Sequence, residues 1–348
     1  MLVYLGVNMF MEYWDLIDVL HDLDGIVANI LRTMVNTAIC IGLIQISKHR
    51  KQLEELIVAV RRDITDGASF ENDEEKQLYL NYNTISYNFG KCTTIIATGI
   101  TVLLWSQPLI EHLASSNKDN NTASYELPLQ VHVFFDYHTV ELYTLLYAFQ
   151  MPSMYIPMYH VAEVSFIVNM VLHLCGKLSI LSYRIRNIDV RSSESFQVDL
   201  KRMVAMHLEL IKLSKTLNDC FDIILLIELM SCGSRLGLAL YIVLIKIADP
   251  LIVANFLLYS INVGAFLYIF SYVGEQVMYE SRMIGEAFYS INWHRVASND
   301  RKSLLICITN GQRIMYVTAG TFYIFSRSGF TEIVKTSMAC LSLLQAKM

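Results

Sequence analysis

Charged side chains are scarce in this chain. They make up 17% of its 348 residues, against about 25% in an average soluble protein. With 54% hydrophobic residues and a mean hydropathy of +0.40, the apolar content exceeds what a soluble enzyme of this size buries. Proline (5) and glycine (15) are few, which argues against disorder, collagen-like repeats and a turn-rich β sandwich. The net charge of −5 leaves no basic footprint for nucleic acid. No GxSxG, HExxH, Walker or GxGxxG pattern occurs, so no catalytic residue is named and the chain is not read as an enzyme. Cys40, Cys92, Cys175, Cys220, Cys232, Cys307 and Cys340 lack CxxC or Cys/His metal spacing and read as free thiols, with no cofactor and no metal centre.

What the chain does have is long apolar runs. Residues 92–110, 142–162 and 251–274 are free or nearly free of charge, and a membrane-crossing helix needs about 20 mostly apolar residues. Shorter runs at 33–47, 236–245, 314–326 and 336–346 lengthen when one flanking charge is included. The reading is an all-α membrane protein with seven transmembrane helices, roughly 1–14, 26–47, 90–113, 140–182, 205–246, 250–288 and 323–347. The fourth to sixth outrun a bilayer and should project into the aqueous phase. Met203, Met206, Leu210, Leu213 and Leu217 give the fifth an amphipathic extension at helical spacing.

Basic residues next to the span ends set the orientation. Lys48, Arg50, Lys51, Arg61 and Arg62 follow the second span; Lys177, Arg184, Arg186, Arg191, Lys201 and Arg202 the fourth; Arg282, Arg295, Arg301 and Lys302 the sixth. The alternate loops hold Asp15, Asp18, Asp22 and Asp24, or a lone Lys118. This places the amino end inside and the carboxyl end outside, an inverted topology. The sequon Asn120-Asn121-Thr122 falls on an outer loop, where Asn120 is open to glycosylation. The first span is short, contains Glu12 and lacks the basic lead and small-residue cleavage site of a signal peptide. It reads as a truncated first helix.

Four groups of residues invite a function. His132, Asp136, His138 and Glu141 cluster before the fourth span, as a solvated polar loop or a weak metal site. Arg235, within Gly233-Ser234-Arg235-Leu236-Gly237, should face the bundle interior or a wet cavity and pair with an acid such as Glu228. Thr331, Lys335, Met338, Ser342 and Gln345 are spaced 4, 3, 4, 3 and share one helix stripe. A polar stripe lines a water-filled pore, and one helix encloses a pore only with other subunits around an axis; alternatively Thr336, Ser337 and Ser342 bond to their own backbone. Trp105, Tyr147, Met151, Tyr155, Phe256 and Tyr259 lie toward the outer halves, as ordinary packing or as a pocket for a small apolar ligand.

Motifs along the second half resemble one family. Gly274-Glu275-Gln276, Glu280-Ser281, Glu286-Ala287, Tyr289 and Trp293 resemble the end of the sixth helix of insect odorant receptors. Thr318-Ala319-Gly320, Phe322, Phe330-Thr331 and Ile333-Val334-Lys335-Thr336-Ser337 resemble their seventh-helix signature. His173-Leu174-Cys175-Gly176 with Leu181, and Leu217-Asn218-Asp219, match the fourth and fifth helices. The resemblance implies an odorant-gated, non-selective cation channel in the plasma membrane of olfactory neuron dendrites. It implies a hetero-oligomer with a shared co-receptor, in the form of a tetramer within membrane lipid.

Under this resemblance, residues 1–182 hold helices one to four and the outer ligand pocket, 183–222 the cytoplasmic part of helix five, and 223–288 helices five and six. Residues 289–322 form a cytoplasmic anchor segment, and 323–348 the pore-lining final helix. Implied ligand positions are Trp105, Tyr147, Met151, Tyr155, Asn255 and Tyr259, with a small volatile as partner. Implied pore positions are Lys335, Met338, Ser342, Gln345 and Ala346. The alternative is a seven-helix chemoreceptor signalling through a G protein, which the inverted topology opposes.

Overall fold

The computed structural model describes residues 2–21, 23–65, 70–116, 127, 139–190, 193–246 and 248–345. Their helices are α1 (Leu2–Asp18), α2 (Leu23–Lys48), α3 (Arg50–Thr65), α4 (Asp73–Ser116), α5 (Val140–Gln150), α6 (Tyr155–Arg186), α7 (Ser193–Ile245), α8 (Pro250–Ser290), α9 (Ser298–Gly311) and α10 (Arg327–Gln345). A short antiparallel hairpin, β1 (Thr318–Ala319) and β2 (Tyr323–Ile324), precedes α10 and pairs Thr318 with Ile324.

Four stretches among the described residues are long and apolar enough to cross a membrane: Gly25–Lys48, Val140–Arg186, Glu194–Ile245 and Ile252–Ser290. Helix α1 betrays the same solvent by its pattern. Its buried stripe is Leu5, Asn8 and Glu12, while Val3, Val7, Phe10, Trp14 and Ile17 are exposed. Apolar side chains outside and polar ones inside is the arrangement a lipid-facing helix needs, since in hydrocarbon every polar group must find its partner within the protein.

The structure revises several boundaries. The fourth expected span is two helices, α5 and α6, joined by a 3-10 turn at Met151–Met154. Pro152 lies in that turn and Pro157 in the first turn of α6; neither has an N–H for a helix interior, though the first turn of a helix tolerates proline. Helix α4 begins at Asp73 instead of near residue 90, and α7 at Ser193 instead of near 205. At 1.5 Å per residue, the 53 residues of α7 span about 80 Å, far more than a bilayer core of about 30 Å. The last helix starts at Arg327, because residues 318–324 are held in the hairpin.

The chain forms two compact units, Met1–Ile44 with Asn88–Ser165, and Gln45–Tyr87 with Phe166–Met348. In the first, Leu5, Ile39 and Ile156 bring α1, α2 and α6 together. Asn36 Nδ2 donates to Glu12 Oε1 at 2.6 Å, and Asn29 Nδ2 to the Glu12 carbonyl at 3.0 Å. These bonds offset part of the cost of burying a carboxyl between two membrane helices. Gly42 lets α2 approach α6: a Cβ there would sit 2.1 Å from Glu163 Oε1.

The second unit holds the larger core, with Phe196, Phe221, Phe270, Phe288 and Phe325 almost wholly buried, each contributing about 1.5–3 kcal/mol. Helices α7 and α8 pack along each other, and α9 covers α8, where Gly285 meets Gly311 backbone to backbone. Neither α3 nor α9 was among the expected helices. Both are amphipathic, burying Leu53, Leu56 and Val60 in α3, and Leu304 and Cys307 in α9.

Buried polar contacts tie α3, α4 and α6 together in this unit. Arg184 forks onto Glu75, Nε to Oε1 at 2.8 Å and Nη2 to Oε2 at 2.7 Å. Asp63 lies 2.8 Å from Lys177 Nζ and 3.6 Å from His173 Nε2, and Tyr79 Oη is 2.7 Å from His173 Nδ1. Burial and the charge of Asp63 push the Tyr79 phenol up to about 12. The phenol therefore keeps its proton and shares a hydrogen bond with Nδ1, while Nε2 of the same ring faces Asp63. Burial alone would raise the carboxyls of Asp63 and Glu75, but hydrogen bonds from His173 and Lys177, and from Arg184, outweigh it and hold both below their ordinary values of 3.8 and 4.5.

A carboxylate with a depressed pKa stabilises the fold above its unfolded pKa and loses that stabilisation as pH falls through the folded value. The melting temperature of the solubilised chain is thus expected to be insensitive to these two groups from pH 7 to 5. It should fall as pH drops below about 4.5, and the Glu75→Gln variant should show a shallower fall. Thermal melts across pH 3–7 measure this.

Candidate functional site

The aromatic positions separate into groups. Trp105 on α4 and Tyr147 on α5 meet edge to face with centroids 5.6 Å apart, and Tyr147 Oη donates to the Trp105 carbonyl. Tyr143 lies 6.0 Å from Tyr147 and, with Leu127 and Leu146, completes a buried apolar patch. The sequence reading missed Tyr143, although it stands one helical turn from Tyr147 on the same face. Met151 is 47% and Tyr155 70% exposed, and Asn255 is exposed as well. Tyr259 packs with Cys232, Leu236 and Val263 where α7 meets α8. A groove of about 450 Å³ runs along α3 between Lys51, Glu54, Glu55, Val58, Ala59 and Arg62; its charged walls suit water better than an apolar ligand.

Arg235 is buried beside Tyr259, as an intramembrane charge should be. Its partners differ from expectation. Nε donates to the Ser231 carbonyl at 3.3 Å and Nη2 to Cys232 Sγ at 3.2 Å, and the Tyr259 hydroxyl also bonds to it. Glu228 acts on it only through space, because one heptad along α7 carries the carboxylate beyond ion-pair distance.

The expected stripe falls on α10. Thr331, Lys335, Met338 and Ser342 are exposed along one face, whereas Ser337 is buried. The hydroxyls of Thr331, Thr336, Ser337 and Ser342 each donate to the carbonyl four residues earlier, at 2.8–3.1 Å. The hydroxyl protons are thus satisfied within the helix, as the backbone-bonding reading expects, while Thr331, Lys335, Met338 and Ser342 are exposed together with Glu332, Thr336 and Ala339. The Gln345 side chain, Ala346, the sequon Asn120, and His132, Asp136 and His138 lie outside the described residues.

The start of α10 is clasped by α7 and α8. Asn218 Nδ2 donates to the Tyr316 carbonyl at 2.8 Å, and its Oδ1 accepts from Thr318 N at 3.2 Å. Asp222 Oδ1 accepts from Thr318 Oγ1 and Thr321 N, both at 3.0 Å. These bonds hold a turn in which Gly320 and Thr321 both have left-handed φ, 61° and 63°, a conformation that costs a threonine energy unless its surroundings impose it. From α8, Ser281 Oγ accepts from Met315 N at 3.0 Å, and Glu275 Oε2 from Arg327 N at 3.1 Å. Gly274 lies against Phe325, where a Cβ would come within 2.3 Å of the carbonyl oxygen. Three sequence motifs that looked separate, at 217–219, 274–281 and 318–320, thus meet at one joint whose physical role is to link α7 and α8 to α10.

Comparison with known proteins identifies this arrangement. The profile described as 7tm Odorant receptor matches residues 27–338. Odorant receptor 82a of Drosophila melanogaster is 23% identical over 338 residues, covering 94% of this chain and 85% of that protein. Odorant receptor Or2 of Anopheles gambiae is 24% identical over 161 residues, covering 44% and 40%. The solved olfactory receptor OR5 from Machilis hrabei superposes with a TM-score of 0.77 at 11% identity, covering 99% of this chain and 86% of that one. Its complex with eugenol gives 0.79 at 12% identity, covering 100% and 88%. The fold is that of the seven-helix insect olfactory receptors, and this multi-pass membrane protein belongs to the odorant receptor family.

Proposed function

We propose that this chain is the odorant-tuning subunit of a ligand-gated, non-selective cation channel, assembled with a co-receptor as a tetramer in the plasma membrane of olfactory neuron dendrites. The observation that carries the reading is the outward polar stripe Thr331, Lys335, Met338 and Ser342 on a helix clasped at its start by α7 and α8. An exposed polar face on a membrane helix is unfavourable against lipid but favourable against a shared aqueous axis. A small volatile, of the kind eugenol represents in the OR5 complex, binds the open arrangement better than the closed one and shifts the population toward it. Movement of α8 then passes through Gly274–Phe325 and Glu275–Arg327 to α10. The basic residues after the second, fourth and sixth spans favour an amino end inside, which opposes the G-protein receptor alternative.

Single cysteines introduced at Lys335, Met338 and Ser342 of chains co-expressed with the co-receptor test the stripe. A charged, membrane-impermeant thiol reagent is expected to block most of the odorant-evoked current at these positions and little of it at Ser337. Equal sensitivity at Ser337, or none at the stripe, contradicts a pore along this face.

A further inference from the structure

Arg235 carries a charge that no direct ion pair meets among the described residues; the buried Glu228 carboxylate, seven residues earlier on α7, acts on it only through space. The side chain is 6% exposed, on a helix apolar enough to cross a membrane. Its direct partners are the Ser231 carbonyl, Cys232 Sγ and the Tyr259 hydroxyl. None of them is a carboxylate, and among the described residues no ion pair reaches it. A guanidinium has five N–H donors in a planar fork that matches a carboxylate, and these three partners leave part of that fork unused. One turn earlier on the same face, Ser231 Oγ is buried and has no hydrogen-bond partner. Beside these polar atoms stand Cys232, Leu236 and Val263, with Leu240 partly buried against them. The surroundings therefore combine a cationic fork, two hydroxyls and an apolar wall.

We infer that Arg235, with Tyr259 and Ser231, forms a binding site between α7 and α8 for a small amphiphile that carries a carboxylate on an apolar chain. The ligand's oxygens take the free arm of the guanidinium and the Ser231 hydroxyl, and its chain lies along Leu236 and Val263. The ligand supplies a carboxylate in direct contact, which Glu228 does not, so it gains a charge-assisted bond in a low-dielectric setting where such bonds are strong. This inference rests on the odorant-receptor reading for its physiological meaning and names the class of odorant selected at this position: carboxylic acids over hydrocarbons of equal length. A volatile acid and a fatty acid of the bilayer share this chemistry.

The chain in lipid nanodiscs, free of added fatty acid, is titrated with octanoate and with octane, and its melting temperature is followed. The wild-type chain is expected to bind octanoate at least about tenfold more tightly than octane, the scale of one hydrogen bond to a charged group. Arg235→Gln should abolish that preference while leaving the octane response, Arg235→Lys should retain part of it, and Tyr259→Phe should weaken it. Gel filtration and the ligand-free melt show that each variant is folded. In nanodiscs doped with oleic acid, undiminished octanoate binding identifies a volatile acid as the occupant, and lost binding identifies a bilayer lipid; both support the site. Octanoate binding no better than octane, or a preference that survives Arg235→Gln, overturns the inference. Overturned in this way while odorant-evoked currents persist, the carboxylate site fails and the receptor reading stands.

Discussion

Replacing Arg184 by alanine is expected to destabilise the end of the fold where α4 begins and α6 ends by about 3–5 kcal/mol, because it leaves Glu75 buried without its partner. The side chains of Arg184 and Glu75 are 7% and 1% exposed, and two short bonds make the pair a bidentate fork. Exposed ion pairs contribute about 0–1 kcal/mol, so the size of the loss itself reports burial. The pair joins the amino-terminal turn of α4 to the last turns of α6, which are 109 residues apart in the chain. A double replacement, Arg184→Met with Glu75→Leu, should recover most of the loss, since two apolar groups leave no stranded charge. Thermal melts of the solubilised chain compare the three. A single variant that melts within about 2 °C of wild type contradicts the structure here.

Gly274→Val is expected to abolish odorant-evoked current. A Cβ at this position would meet the Phe325 carbonyl at 2.3 Å and its side chain at 2.8 Å. The first of these is backbone, so the clash is relieved only by parting α8 from the segment that leads into α10. Overpacking of this sort costs about 1–3 kcal/mol or more, and it falls on the joint proposed to pass movement of α8 to α10. The control is Gly264→Ala on the same helix, where an added Cβ meets nothing within 4 Å; it should leave the current unchanged and favour the helix by about 0.5–1 kcal/mol. Patch-clamp recording together with surface labelling separates lost gating from lost trafficking. Wild-type current from Gly274→Val would contradict the coupling assigned to this contact.

Much of the architecture is legible in the residues, and what is hidden has physical reasons. The apolar runs locate the membrane helices because hydrocarbon demands them, and the 4, 3, 4, 3 spacing places Thr331, Lys335, Met338 and Ser342 on the face that the structure leaves exposed. Helices α3 and α9 escaped because their charge made them read as loops, although Leu53, Leu56 and Val60, at spacings of 3 and 4, carry an amphipathic signal. The break in the fourth span was signalled by Pro152 and Pro157. Pairings such as Glu75 with Arg184, or Asp222 with Thr318, bridge about a hundred residues, and no local pattern specifies which acid meets which donor. Arg235 shows both sides: its inward orientation follows from the cost of a charge in lipid, whereas its neutral partners do not follow from the spacing to Glu228. The ligand group was least legible, since aromatic residues toward the outer ends of helices serve packing, lipid contact and binding alike.

The central proposal is that this chain, assembled with the co-receptor, conducts ions itself. The direct measurement is a recording from inside-out patches containing the chain and the co-receptor, with odorant applied and with nucleotides removed so that no G protein can cycle. Odorant-evoked cation current that persists in such patches, and that is lost in Gly274→Val but not in Gly264→Ala, is the predicted result. Current that vanishes with the nucleotides contradicts it.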